Sequence, residues 1–202
     1  MKKLALVCLC LLLTGCTAVR INTTDIDNTI DVVLSKNNKL YNRIGKGYKY
    51  YLPRGMTYID TNDLNDKLYS NGVYYYLYVD AISYYYKADV DFAEETDIYY
   101  YRKIDGKKKG YAKIVKEDNK YHITFVYNYA KIEAIVNKNQ IEEVILNSSY
   151  ILSTVKFNEK VIKIMLNEDY FTNKEERYDI FTRKETEDYF LVDETDEKNR
   201  GD

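Results

Sequence analysis

Ile26, Ile30, Val33 and Leu34 fall at i, i+4, i+7 and i+8, which is one face of a helix. Thr24 is placed to cap it, Asp27 lies in its first turn, and Asn37 and Asn38 end it. After this the rhythm changes to period two. Tyr48-Lys49-Tyr50-Tyr51-Leu52 reads as a strand, closed by Pro53 and Gly55. Residues 56–60 read as a second short strand, and the polar stretch 60–66 as a loop. Val73, Tyr75, Leu77 and Val79 share one strand face, with Tyr74, Tyr76, Tyr78 and Asp80 on the other. Ile82, Tyr84 and Tyr86 continue the alternation through Lys87, with a bend near Ala81. Ala88, Val90 and Phe92 alternate with Asp89 and Asp91, and Ile98, Tyr100, Arg102 and Ile104 with Tyr99, Tyr101 and Lys103.

Asp105-Gly106 is a hairpin signal, because Asp-Gly supplies positive φ cheaply. The lysines after it predict a longer loop, with residues 111–116 as the return strand. Residues 117–119 predict another turn, and 121–136 one long strand. Asn139, with Glu142 three places on, predicts a capping box. The helix it opens carries a stripe of Ile141, Val144, Ile145, Ser148, Leu152 and Val155 and ends near 156–158. Residues 161–166 and 178–181 predict strands, and Tyr189-Phe190-Leu191 pins the end. The fold class is therefore α+β: a mainly antiparallel sheet with an N-terminal helix and a late amphipathic helix packed on it. A strand-rich centre followed by one late helix resembles the PsbP/Mog1/DcrB-like fold in element order, a likeness that fixes no function.

The first residues change the picture. Lys2 and Lys3 precede an apolar run over 4–13. A charged start, a short apolar middle and a small-residue end make a secretory signal. The run is too short to span a bilayer, which needs about 20 residues. Its ending, Leu13-Thr14-Gly15-Cys16, resembles the lipobox of bacterial lipoproteins. That resemblance implies acylation of Cys16, with a palmitate-type fatty acyl group, and removal of everything before it. It divides the chain into a signal peptide at 1–15, a lipidated tether at 16–24, a single domain at 25–192 and an acidic tail at 193–202. It also places the domain on the extracytoplasmic face of a cell membrane.

Cysteine usage agrees with this division. Cys8 and Cys10 leave with the leader and Cys16 carries lipid, so no disulfide can form within the domain. The core alone must hold it, and a composition 46% hydrophobic and 31% charged suits a globular domain. Charge is uneven. Residues 185–202 hold eight acids and two bases, a solvated end. Nothing makes a nucleic-acid footprint, and the chain calls for no nucleic-acid partner.

Candidate chemistry is sparse. His122 is the only histidine, and no nucleophile motif accompanies it. One histidine and no remaining cysteine make zinc a poor fit. The segment 60–66 begins like a calcium loop, but Leu64 occupies a ligand position. Asp89, Asp91, Glu94, Glu95 and Asp97 lack the glycine such a loop needs. The chain thus calls for no cofactor, no metal and no catalytic residue. Its 24 tyrosines could stack on a ligand, although strand propensity explains them as well. Lys107, Lys108 and Lys109 form a basic hairpin tip able to meet a membrane or a partner, at about 1 kcal/mol per lysine near an anionic surface. The reading is a monomeric, membrane-anchored envelope lipoprotein that binds an envelope protein or ligand without catalysis. An envelope hydrolase using carboxylates and a small-ligand carrier are the alternatives.

Overall fold

The computed structural model describes residues 25–62, 64–90, 92 and 98–167. Helix α1 is Ile26–Leu34. Strands β1 (Arg43–Ile44), β2 (Tyr48–Tyr50), β3 (Thr57–Asn62), β4 (Asn65–Ser70) and β5 (Val73–Val79) follow. Helix α2 (Ala81–Tyr86) leads to β6 (Ile98–Asp105), β7 (Lys109–Glu117), β8 (Lys120–Tyr127) and β9 (Ala130–Val136). Helix α3 (Ile141–Thr154), β10 (Lys156–Phe157) and α4 (Glu159–Asn167) complete the described chain.

Among the described residues the strands make a seven-stranded sheet, ordered β3-β4-β5-β9-β8-β7-β6, and a three-stranded one, β1-β2-β10. Every pairing is antiparallel. The large sheet is two meanders joined where β5 pairs with β9, Leu77 opposite Ile132. The fold is α+β, as the periodicities predict.

One face of the large sheet is the core. Leu68, Tyr75, Leu77, Ile132, Phe125, Ile123 and Ile114 line it and are sealed from solvent. Helix α3 lies on β8, β9 and β2, and α1 packs against α3. The expected stripe of α3 is buried throughout, with Ile151 added to it. Gly110 is fixed by this geometry: a Cβ there would sit 2.0 Å from the carbonyl oxygen of Val126 on β8.

The structure corrects several local expectations. Asp25, not Thr24, caps α1, its Oδ1 accepting from the amide of Asn28 at 3.1 Å. The 60–66 loop is instead a hairpin between β3 and β4, and β4 buries Asp66, Leu68 and Ser70 on its core side. Residues 81–86 are helical, because the Asp80 side chain accepts from the amide of Ser83 at 2.7 Å and starts a turn. Lys87 ends that turn in the left-handed region, φ 56°. Residues 88–90 lie outside any strand. Asp105-Gly106 does not take positive φ. Asn71-Gly72 (φ 48° and 79°) and Asn128-Tyr129 (53° and 60°) do, each making a two-residue hairpin with the backbone of a type I′ turn. The second of these divides the expected 121–136 strand into β8 and β9.

Helix α3 is entered from a 3-10 turn at Lys138–Gln140 whose N-cap is Asn137 rather than Asn139, the Gln140 side chain accepting from the Asn137 amide at 3.0 Å. Residues 161–166 belong to helix α4, with Ile162 buried. The strand expected at 178–181 and the Tyr189-Phe190-Leu191 segment expected to pin the end lie outside the described residues.

Candidate functional site: a basic cleft

Three segments that are far apart in sequence meet at one edge of the domain. The first is the end of α1 and the residues after it, through Asn38. The second is the β6–β7 hairpin, and the third is the exit from α3 into β10. Between them lies a cleft of 790 Å³. Its apolar lining includes Ile30, Leu34, Ile104 and Tyr127. Its charged lining is Lys36, Arg102, Lys103, Lys107, Lys108 and Lys156 against only Asp31 and Asp105.

Arg102 is already engaged. Its guanidinium donates to the Asp27 carbonyl at 2.7 Å, to the Asp27 carboxylate at 3.1 Å and to Asp31. Tyr100 adds a hydroxyl to the same Asp27 carboxylate at 2.7 Å. These contacts clamp α1 onto β6. Lys103 stands 3.7 Å from Asp105 and over the Phe92 ring at 4.3 Å. Lys36, Lys107, Lys108 and Lys156 have no carboxylate partner among the described residues. Lys108 lies 5.7 Å from the centroid of Tyr127. Burial, and then the charge of Lys156, hold its ammonium below the ordinary lysine value. Two like charges thus share a partly buried place with no anion from a described residue between them.

The basic tip expected from the sequence is divided by the fold. Lys107 and Lys108 line the cleft. Lys109 binds Asp89 at 2.9 Å, and that partner raises its pKa. A smaller cavity of 240 Å³ beside that pair is lined by all three lysines together with Asp89, Asn128 and Tyr129. Lys36 and Lys156 carry no local sequence signal. Only the packing of α1 and α3 brings them to the hairpin.

The remaining candidates separate from one another. His122 lies on β8 facing away from the core, with Nδ1 3.9 Å from the Glu117 carboxylate. Tyr74, Tyr76 and Tyr78 share the sheet face opposite the helices. Lys67 stands 4.2 Å over the Tyr74 ring and Lys131 4.8 Å over that of Tyr78. Lys131 also binds Glu133 at 3.1 Å. These rings are engaged by the sheet's own lysines, and the tyrosines do not line the basic cleft.

Asp60 is exposed and accepts from the adjacent Thr61 amide, whereas Asp66 is buried and accepts from Tyr50. The two do not form one cation loop. No group of three or more potential metal ligands occurs among the described residues. Asp91, Glu94, Glu95, Asp97 and Cys16 lie outside them. No described helix is long and apolar enough to cross a membrane.

A second cleft, of 900 Å³, runs between the small sheet and α4. Ile44 and Ile164 lie exposed on those two elements. Comparison with known proteins finds no matching family model, no similar curated protein and no similar solved structure.

Proposed function

We propose that the chain is a bacterial envelope lipoprotein, held on the extracytoplasmic face of a membrane by lipid on Cys16, whose domain binds an envelope ligand or partner without catalysis. The observation that carries this reading is Leu13-Thr14-Gly15-Cys16 directly after a lysine-led apolar run.

The domain's own features support binding over carboxylate catalysis. A hydrolase of the carboxylate type needs acids converging on an open site. The buried carboxylates among the described residues are committed elsewhere: Asp66 to the Tyr50 hydroxyl and Asp80 to the start of α2. The open clefts offer lysines and apolar walls instead.

Metabolic labelling with a radioactive fatty acid tests the anchor. The wild-type chain is expected to take up label and Cys16→Ser to take up none. One acyl chain holds a protein only marginally and two hold it firmly, so the wild type should stay with membranes after a high-salt wash. Equal labelling of both chains would end this reading.

A further inference from the structure

We propose that the basic cleft between α1, the β6–β7 hairpin and β10 is a binding site for a phosphate ester. Six cations face two lining carboxylates, and Asp27 also pairs with Arg102 from α1, leaving a formal excess of three. Both α1 and α3 end near the cleft, and a helix C-terminus carries about half a negative charge. Two such ends offset about one of the three charges, so the described residues leave about two uncompensated. No described residue supplies the anion that would balance them.

The donors narrow the anion. Arginine's planar fork matches carboxylate and phosphate alike, and the one arginine here is already forked onto Asp27 and Asp31. The uncommitted groups are Lys36, Lys107, Lys108 and Lys156. Lysine ammoniums are point donors that approach from different directions, which suits the several oxygens of a phosphate. Size narrows the class further. At 790 Å³ the cleft falls within the range of small-molecule sites and far exceeds one phosphate. Leu34, Ile104 and Tyr127 give an apolar wall for what the phosphate carries.

Two sources supply this chemistry at a cell envelope: a phospholipid headgroup and a soluble phosphate ester or polyphosphate. The tether allows either. Nine residues separate Cys16 from Ile26, and the ten steps between them span at most about 36 Å. The proposal deepens the ligand-binding reading above, and it does not depend on the lipid.

Calorimetric titration of the purified full chain in neutral detergent tests it. One arm uses inorganic tripolyphosphate and the other short-chain phosphatidylglycerol in the same micelles. The wild type is expected to bind at least one probe, more weakly as salt rises. Lys108→Gln/Lys156→Gln should bind at least tenfold more weakly, with an unfolding temperature no lower than that of the wild type, because two repelling charges are removed. Lys120→Gln, at the β7–β8 turn away from the cleft, should bind like wild type. Binding in the first arm alone identifies a soluble ester, and in the second alone a headgroup. No binding in either arm would overturn the proposal. So would equal binding by the double variant, or polyglutamate bound as tightly as tripolyphosphate. Cys16→Ser should bind as wild type does, so failure of the anchor and failure of the site are distinguishable.

Discussion

Leu152→Ala should lower the unfolding free energy by about 2–5 kcal/mol. Leu152 lies on α3 with no solvent exposure, in the layer between that helix and the large sheet. Truncation removes apolar contact and leaves a cavity that strands on one side and α1 on the other cannot fill cheaply, because close-packed interiors relax only in part. Glu143 lies on the same helix, off the stripe. Its carboxylate accepts from the Asn71 side chain at 2.6 Å, an exposed hydrogen bond. Glu143→Ala should cost less than about 0.5 kcal/mol. Urea denaturation of the two variants checks the order. If both were equally mild, α3 would not be the lid on the sheet, and the layer order described above would be wrong.

Tyr50→Phe should be the next most damaging change, at about 1–3 kcal/mol or somewhat more. Asp66 is buried on the core side of β4, and the Tyr50 hydroxyl donates to it at 2.8 Å. The two residues tie the small sheet to the large one. Burial, and then the charge of Asp66, push the phenol of Tyr50 well above its ordinary value. The hydroxyl is therefore held as a donor. Phenylalanine fills the same space but leaves a buried carboxylate short of a proton donor, and desolvated acceptors of this kind are expensive. Asp66→Leu removes the acceptor as well. A double-mutant cycle should show a coupling of about 0.5–3 kcal/mol between the two positions. Additive single effects would mean that the hydrogen bond does not join the sheets.

Much of the fold is legible in the sequence, for physical reasons that differ by element. The alternation in β5 and the one-sided stripe of α3 are direct consequences of burial on one face, and both survive folding intact. The β8–β9 hairpin reads as one strand over 121–136, although a change of parity marks it. Core residues fall on odd positions through Tyr121, Ile123, Phe125 and Tyr127, then on even ones through Ala130, Ile132, Ala134 and Val136. A two-residue turn at Asn128-Tyr129 is what shifts them. The same shift marks Asn71-Gly72, between Leu68 and Val73.

Helix α2 reads as strand because Ile82, Tyr84 and Tyr86 fit period two, and the cap at Asp80 decides the outcome. Helix α4 follows the same logic. The side chain of Asn158 accepts from the Val161 amide at 3.3 Å, and the short apolar run then winds rather than extends. The basic cleft was half legible. Lys107 and Lys108 lie on a visible hairpin, whereas Lys36 and Lys156 join them only through the packing of α1 and α3 on the sheet.

The most direct test of the account is the mass of the mature protein's first peptide. The full chain is expressed in a bacterium, extracted in detergent and digested, and its N-terminal fragment is weighed. The account predicts that the fragment begins at Cys16 and carries a diacylglyceryl group on its sulfur. A fragment that begins at Met1, or that begins at or beyond Cys16 without lipid, would contradict it.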